Sequence, residues 1–210
     1  DNEYGYVHRM AELAAKVAGK LDLDLGQVTL KTFANGEVYC RYEESIRGAD
    51  VFLVQSTAAN KAQGMTPNDA LMELLTMIDA AKGASAHRIV AVMPWYGYSR
   101  QDKKSAPREP ISARVVAQCL EAVGVDRVLT MDLHSPQIQG FFSIPADQLT
   151  GVPALCERLK RDDLSNTVVV AADVGEAKDA GRFAKRLELP LALIDKRRYG
   201  DDENARPTHV

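Results

Sequence analysis

The spacing of apolar residues alternates along the chain between a helical period and short strand-like runs. Helical spacing covers 7–21, 111–123 and 177–187, and another helix is predicted from Asn68, the expected N-cap, to Ala81. Apolar or alternating runs lie at 28–33, 38–42, 51–54, 88–93, 127–131, 167–171 and 191–194. Strands that alternate with helices predict an α/β fold with mostly parallel sheets and helices on both sides.

The residues between the first two strand-like runs predict a hairpin. Asn35-Gly36 lies between 28–33 and 38–42, and both residue types tolerate the positive φ angles of a tight turn. The stretch Phe33-Ala-Asn-Gly-Glu37 then has two interpretations. It is a tight turn only, or the Phe33 ring stacks on a base while Asn35 and Glu37 supply polar contacts.

A change of pattern near residue 150 divides the chain. One helical turn is expected at 136–142, and Pro145 and Pro153 mark a linker over 145–152. The second α/β unit has only about 60 residues, fewer than the ~100–150 typical of a domain. We therefore expect domains at 1–147 and 148–210, with the second continuing past Val210.

Composition excludes several classes of protein. A net charge of −3 over 210 residues provides no broad basic face for nucleic acid. Cys40, Cys119 and Cys156 have neither disulfide-framework nor zinc-site spacing, so a reducing cytoplasm is expected. No apolar run approaches the ~18 residues of a membrane span, so no membrane partner is expected.

The segment 100–108 is strongly basic within this acidic chain. It contains four cations and one acid, a net charge of +3: Arg100, Lys103, Lys104 and Arg108 against Asp102. A local cationic excess predicts a phosphorylated ligand. Neither the P-loop pattern nor Gly-x-Gly-x-x-Gly occurs in the sequence, so a nucleotide would bind through other elements.

Polar residues follow three predicted strands, at the sheet edge where parallel sheets bind ligands. They are Arg100 and Gln101 after 88–93, Asp132 and His134 after 127–131, and Asp173 and Gly175 after 167–171. His134 and Asp173 together suit a hard divalent cation completed by phosphate oxygens. The alternatives are a loop histidine bonded to backbone and an aspartate that caps the following helix.

A second basic segment, Lys196-Arg197-Arg198, follows the run at 191–194. One interpretation is a solvated patch balanced by the nearby acids, Asp195, Asp201, Asp202 and Glu203. The other is a mobile cationic lid over a transferring phosphoryl group, where charge stabilisation supplies most of the catalysis.

Seven stretches of the chain carry a resemblance to a known family. They are Phe33-Ala-Asn-Gly-Glu37, Asn68-Asp-Ala-Leu-Met-Glu-Leu-Leu75, Tyr96-Gly-Tyr-Ser-Arg-Gln-Asp-Lys-Lys104, Pro107-Arg-Glu-Pro-Ile-Ser-Ala113, Met131-Asp-Leu-His134, Gln137-Ile-Gln-Gly-Phe-Phe142 and Ile194-Asp-Lys-Arg-Arg198. In this order and spacing, across nearly the whole chain, they resemble the ribose-phosphate pyrophosphokinase family, which makes phosphoribosyl pyrophosphate.

The resemblance implies two phosphoribosyltransferase-like domains, the second incomplete in this chain. It implies Mg²⁺-dependent transfer of the diphosphoryl group of ATP to the 1-hydroxyl of ribose 5-phosphate, with release of AMP. Inorganic phosphate or ADP is the expected regulator, and the expected assembly is a homo-oligomer, a hexamer built from dimers. The alternatives are a non-catalytic homologue that regulates active subunits, and a phosphoribosyltransferase, in which 100–104 would have no role.

The resemblance also assigns roles to individual residues. The implied ATP-binding residues are Phe33, Asn35 and Glu37 from a neighbouring subunit, with Arg100, Gln101, Lys103, Lys104 and His134. Mg²⁺ would be held by His134 and Asp173, and the transition state would be stabilised by Lys196 and Arg198, with Arg198 also at ribose 5-phosphate. The implied regulatory phosphate site comprises Ser45, Arg47, Gln139 and Asp147.

Three departures from the family pattern are visible. Ala171-Ala-Asp-Val-Gly-Glu176 stands where the family has Ser-Pro-Asp-x-Gly-Gly, so Glu176 adds a negative charge near Asp173. The family's opening strand is not recognisable, and its Thr-Gly-rich loop for ribose 5-phosphate does not occur in these 210 residues. We therefore expect full turnover to need residues beyond Val210.

Overall fold

The computed structural model describes residues 5–60, 64–197 and 206–209, with backbone only for 5–10, 195–197 and 206–209. The chain forms two compact units, Asp1–Leu149 and Thr150–Val210. Within the described ranges, no helix has the length and apolar character needed to cross a membrane.

The elements alternate largely as the hydrophobic pattern predicts. The α-helices are α1 (Gly5–Lys20), α2 (Pro67–Gly83), α3 (Ser112–Ala122), α4 (Val152–Leu159) and α5 (Ala177–Leu187). The strands are β1 (Val28–Thr32), β2 (Val38–Tyr42), β3 (Asp50–Val54), β4 (Arg88–Met93), β5 (Arg127–Met131), β6 (Ala146–Leu149), β7 (Val169–Ala171), β8 (Leu191–Leu193), β9 (Asp195–Arg197) and β10 (Arg206–His209). Short 3-10 helices cover Pro136–Phe141, as predicted, and Val174–Glu176.

Strands β1 and β2 form the predicted antiparallel hairpin. The Phe33 N–H donates to the Glu37 carbonyl, and the Gly36 N–H donates to the Phe33 carbonyl, each at 2.8 Å. Gly36 has a φ of 90°, whereas Asn35 is not in the positive-φ region. The expectation of positive φ at both residues is therefore wrong: the loop is closed by one left-handed glycine, as in the three-residue hairpin class.

Strands β3, β4, β5 and β6 form a parallel sheet in that order. Because neighbouring strands follow chain order, successive right-handed crossovers place α2 and α3 on the same face. Leu53, Ala91 and Val128 alternate onto that face and belong to the core. On the other face Phe52 is 60% exposed. Helices α2 and α3 thus share one face of this sheet.

Helix α2 begins at a capping box. The Thr66 Oγ1 accepts the Asp69 N–H at 3.2 Å, and the Asp69 Oδ2 accepts the Thr66 N–H at 2.7 Å. This arrangement satisfies two backbone donors, and Pro67 fits the first turn because its missing N–H would be unpaired there anyway. The prediction that Asn68 is the N-cap is wrong, since Thr66 and Asp69 have the reciprocal three-residue spacing.

The core of the first unit lies between the sheet and helices α2 and α3. Leu74 and Ile78 on α2, Ile89 on β4 and Leu120 on α3 are at most 1% exposed. Burying each such side chain stabilises the fold by about 1.5–3 kcal/mol. This packing holds the carboxyl ends of β3, β4 and β5 in fixed positions.

Strand β6 and helix α4 replace the predicted linker over 145–152, so that prediction is wrong. β6 pairs in parallel with β5, but its four residues include Asp147 and Gln148 and therefore show no apolar run. Pro153 lies in the first turn of α4, where proline removes no hydrogen bond.

In the second unit, β7 and β8 pair in parallel and α5 covers the predicted residues. Strand β9, which includes residues 196 and 197 of the second basic segment, pairs antiparallel with β10. Residues 195–197 are therefore strand, and 198–205 lie outside the described residues. Arg198 is one of these.

Candidate functional site

The carboxyl ends of the parallel strands carry buried polar residues. Gln55, Ser56 and Thr57 follow β3 and are 6%, 5% and 1% exposed. The Gln55 Nε2 donates to the Glu73 Oε2 of α2 at 2.6 Å. Burial raises the pKa of the Glu73 carboxyl, and the hydrogen bond from Gln55 partly offsets that rise.

The segments that follow β3 and β4 contact each other closely. The Gly97 N–H donates to the Thr57 Oγ1 at 2.7 Å, and the Thr57 Oγ1 donates to the Trp95 carbonyl at 3.0 Å. A Cβ at Gly97 would lie 2.7 Å from the Thr57 carbonyl oxygen. Residue 97 must therefore be glycine for the two segments to approach this closely.

Tyr98 and Asp132 at this edge have left-handed backbones, as does Arg108 in the basic loop, with a φ of 70°. Tyr98, after β4, has a φ of 64°, and Asp132, after β5, has a φ of 44°. Such conformations cost roughly 1–3 kcal/mol each and concentrate at functional sites. The Tyr98 hydroxyl donates to the Asn68 Oδ1, which ties the strained residue to the first turn of α2.

The basic loop 100–108 presents its cations to solvent. The side chains of Arg100, Lys103, Lys104 and Arg108 are exposed and make no ion pair or hydrogen bond within the described part of the chain. Glu109 shapes the loop by accepting the N–H groups of Ser105 and Ala106 at 2.7 and 2.8 Å. Hydrogen bonds therefore fix part of the backbone of this loop, while its four cations have no ion-pair partner among the described residues.

Gln101 connects the loop to helix α3. Its N–H donates to the Tyr98 carbonyl at 2.9 Å, and its own carbonyl accepts the Ala113 N–H at 3.2 Å. The Ser112 hydroxyl donates to the Gln101 Oε1 at 2.5 Å. The predicted ligand residues Arg100 and Gln101 thus lie on a turn that is anchored on both sides.

His134 lies after β5 at the same sheet edge as the basic loop. Its side chain is exposed, and its ring makes no hydrogen bond with the described residues. The alternative of a histidine bonded to backbone is therefore not what the structure has. Its neighbour Ser135 is buried and donates to the Gln137 Oε1.

Asp173 is the N-cap of the short 3-10 helix Val174–Glu176. The sequence interpretation that it caps the helix at 177–187 is wrong, because the N-cap of α5 is Glu176. The Asp173 Oδ1 accepts the Glu176 N–H at 3.1 Å. A Cβ at Gly175 would lie 3.0 Å from the same oxygen, so the carboxylate sits directly over that glycine. Asp173 belongs to the second unit and His134 to the first.

The hairpin tip presents an aromatic ring. Phe33 is 46% exposed and meets Tyr39 edge to face, with 6.0 Å between ring centroids. The Lys31 Nζ lies 5.6 Å from the Phe33 centroid and 4.7 Å from that of Tyr39. The Asn35 Oδ1 accepts the Glu37 N–H at 3.1 Å. Asn35 thus stabilises the turn, while the Phe33 ring is available for stacking.

The four residues of the expected regulatory site lie in two places. Ser45 and Arg47 line a cavity of about 340 Å³ together with Cys40, Tyr42 and the end of α2. Gln139 donates to the Gln148 Oε1 at 3.4 Å, and Asp147 pairs with Arg127 at 2.5 Å. Ser45 and Arg47 precede β3, whereas Asp147 is in β6 at the opposite edge, about 14 Å away across three strand spacings.

Comparison with known proteins decides the family. The sequence profile of the N-terminal domain of ribose phosphate pyrophosphokinase matches residues 6–124. The chain belongs to the ribose-phosphate pyrophosphokinase family. The ribose-phosphate pyrophosphokinase of Halalkalibacterium halodurans is 51% identical over 186 residues, and that of Bacillus caldolyticus 50% over 187. The crystal structure of phosphoribosylpyrophosphate synthetase from Mycobacterium smegmatis matches with a TM-score of 0.81 and 42% identity.

The chain spans only part of these pyrophosphokinases. The H. halodurans and B. caldolyticus alignments each cover 89% of this chain but 57% and 58% of the relative. The M. smegmatis structure is matched over 94% of this chain and 63% of that protein. The predicted α/β fold of this family is thereby confirmed.

Sequence reasoning missed several residues at this sheet edge. Gln55 and Thr57 follow a strand directly, so the strand-end rule that selected His134 also points to them. Ser112 gave no such signal, because its partner Gln101 is eleven residues away. Lys196 lies in β9 and its side chain, like all of Arg198, is outside the described residues.

Proposed function

We propose that this chain is the nucleotide-binding part of a ribose-phosphate pyrophosphokinase. In this reaction the β,γ-diphosphoryl group of ATP is transferred to the 1-hydroxyl of ribose 5-phosphate, which gives phosphoribosyl pyrophosphate and AMP. We further propose that the two compact units are the N-terminal phosphoribosyltransferase-like domain, expected at 1–147, and the beginning of the C-terminal one.

The observation that carries the proposal is the uncompensated charge of the loop 100–108. Four exposed cations without ion pairs in the described chain stand at the carboxyl edge of a parallel sheet, in a protein of net charge −3. Keeping like charges close together is unfavourable without a counter-ion, and a polyphosphate supplies one. Arg100 and Gln101 would contact ATP directly, with Lys103 and Lys104 adding charge behind them.

Mg²⁺ is the cofactor of the proposed reaction, and the donor groups suit it. In the described residues no cluster of three or more His, Cys, Asp or Glu side chains is built to hold a metal. Mg²⁺ commonly uses one or two protein ligands and takes its other oxygens from substrate phosphates and water. Among the described residues the His134 ring has no hydrogen-bond partner, and Asp173 has one carboxylate oxygen beyond the one that caps Glu176. Bound Mg²⁺ would neutralise charge on the transferring group.

The proposed enzyme is a homo-oligomer. The exposed Phe33 ring, with Asn35 and Glu37, would stack on the adenine of ATP held by a neighbouring chain. A regulatory site for phosphate or ADP that joins Ser45 and Arg47 to Gln139 and Asp147 would also need more than one chain, because the pairs lie at opposite sheet edges. A hexamer built from dimers would meet both requirements.

Catalysis itself is proposed to involve residues near the end of the chain. Lys196 and Arg198 would stabilise the transition state, and Arg198 would also contact ribose 5-phosphate. The free thiols of Cys40, Cys119 and Cys156 suit a reducing compartment such as the cytoplasm.

The test is calorimetric titration of the intact protein with a non-hydrolysable ATP analogue and Mg²⁺. Arg100→Ala should weaken binding about ten- to a hundredfold, because a charge-assisted hydrogen bond contributes about 1.5–3 kcal/mol. Arg114→Ala is the matched control: Arg114 is exposed on the first turn of α3, without a described partner, and tests for a general charge effect.

Equal affinities of wild type and Arg100→Ala, or equal losses in both variants, would refute the assigned site. Release of AMP from ATP itself on addition of ribose 5-phosphate separates the enzyme from a non-catalytic homologue, in a protein that includes the Thr-Gly-rich loop for ribose 5-phosphate. Such a protein that binds the analogue at Arg100 but never releases AMP from ATP would be the regulatory homologue.

A further inference from the structure

The Gln101 side chain uses only one of its two polar ends within the protein. The Ser112 hydroxyl donates to its Oε1 at 2.5 Å. The Nε2 group of this exposed residue has no hydrogen-bond partner among the described residues. The amide therefore has an unpartnered N–H₂ group to offer to a ligand at the sheet edge.

The backbone beneath this amide is fixed as well. The Gln101 carbonyl accepts the Ala113 N–H at 3.2 Å. Ala113 is buried, and its carbonyl accepts the buried Tyr96 hydroxyl at 2.8 Å. The main chain of Gln101 and its Oε1 are thus both bonded to neighbouring residues in the first turn of α3.

The start of α3 explains why this arrangement is stable before any ligand binds. The N-cap residue, Ile111, has no side chain that accepts a hydrogen bond. The first N–H groups of a helix need partners from elsewhere, and the Gln101 carbonyl provides one for Ala113. The helix end and the loop therefore stabilise each other.

We propose that Ser112 is a positioning residue that makes Gln101 a hydrogen-bond donor to the bound nucleotide. A primary amide can otherwise rotate to offer its oxygen or its N–H₂ group. With Ser112 donating to Oε1, the N–H₂ group is the unpartnered end of the amide, and the nucleotide atom that it binds is an acceptor, either a phosphate oxygen or an unprotonated ring nitrogen. The inference rests on the proposed function, because it takes the ligand to be a nucleotide.

Titration of the intact protein with α,β-methylene-ATP and Mg²⁺ tests this role through four variants. Ser112→Ala should weaken binding about three- to tenfold, the effect of one neutral hydrogen bond. Ser112→Thr keeps the hydroxyl and should stay within about twofold of the wild type. Gln101→Glu keeps an acceptor for Ser112 but replaces the donor with an anionic oxygen, so it should weaken binding by at least about tenfold. Ser105→Ala, in the same loop and without a side-chain hydrogen bond, should have no effect.

A double-mutant cycle distinguishes positioning from general stability. If Ser112 acts through Gln101, Ser112→Ala should have no further effect on affinity in a Gln101→Ala background. Equal affinity of Ser112→Ala and wild type would overturn the inference, as would a loss that persists when Gln101 is already alanine. In both cases the proposed function stands, because the wild type still binds. If the wild type itself fails to bind the analogue, the proposed function falls and this inference falls with it.

Discussion

Glu73 is a buried acid whose environment favours its neutral form. It is 8% exposed and accepts a hydrogen bond from Gln55 at 2.6 Å. Burial raises the pKa of its carboxyl from the ordinary 4.5, against the opposing effect of that hydrogen bond. Burial, with Glu73 as a second cause, also raises the pKa of the Cys40 thiol to about 11. The interior between β2, β3 and α2 is thus unfavourable for negative charge.

Glu73→Gln should therefore stabilise the protein at pH 7 and flatten its stability profile. A pKa that is higher in the folded state means that protonation favours folding. The contribution of this group is complete below pH 4.5 and is lost as the pH rises through the folded-state pKa. Glutamine stays neutral and can still accept from Gln55. Melting temperatures from pH 4 to 8 for wild type, Glu73→Gln and the exposed control Glu188→Gln measure the difference.

The curve for Glu73→Gln should diverge upward from the other two as the pH rises. Three parallel curves would show that the Glu73 charge does not determine the pH dependence of stability.

The start of helix α2 is stabilised by its capping box. Thr66→Ala removes the acceptor for the Asp69 N–H and the hydroxyl that donates to the Asp69 carboxylate. It should lower the free energy of unfolding by about 1 kcal/mol, measured by urea denaturation. Thr76→Ala on the same helix is the control. The Thr76 hydroxyl bonds only to the Met72 carbonyl, and alanine is the better helix former, so its stability should be unchanged or higher.

If Asn68→Ala lowered the free energy of unfolding as much as Thr66→Ala, Asn68 would be the N-cap of α2. Asn68 instead accepts the Tyr98 hydroxyl, so its removal should release the loop after β4 while leaving the helix start intact.

The elements that sequence alone could predict were those whose pattern is local. The helix Ala177–Leu187 and the strand Val38–Tyr42 carry their periodicity within themselves. β6 could not be found this way, because an edge strand of four residues is stabilised by its pairing with β5. The Thr66 cap was missed although the three-residue spacing of Thr66 and Asp69 is visible in the sequence. Asn68, two residues further on, is also a residue type that caps helices.

At the scale of the whole molecule, the proposed site is shared between chains. Phe33→Ala should weaken analogue binding about ten- to a hundredfold, since base–aromatic stacking contributes roughly 1–3 kcal/mol. Mixing Phe33→Ala chains with Arg100→Ala chains should restore a fraction of wild-type sites, because some interfaces then combine an intact hairpin with an intact loop. Titration of the mixture against each variant alone measures the recovery, and Tyr39→Phe in place of Phe33→Ala controls for the hairpin.

Absence of any recovery after the subunits have exchanged would place the whole site within one chain.

The site's basic loop and hairpin turn could be predicted from sequence, because charge and turn chemistry are local. The Ser112–Gln101 bond and the Thr57–Gly97 contact could not, because both depend on how segments after different elements meet in the fold.

The contact between Gly97 and Thr57 separates positions of this sheet edge that tolerate substitution from one that does not. A Cβ at residue 97 would collide with the Thr57 carbonyl oxygen at 2.7 Å, so the joint between the segments admits one residue type. Directly beyond it, the side chains of Arg100, Lys103 and Lys104 extend into solvent without described partners. Residue 97 therefore tolerates no side chain, whereas the exposed charged residues beside it can be substituted without a steric clash. Natural variation or laboratory selection can therefore retune ligand preference along the loop without rebuilding the fold that carries it.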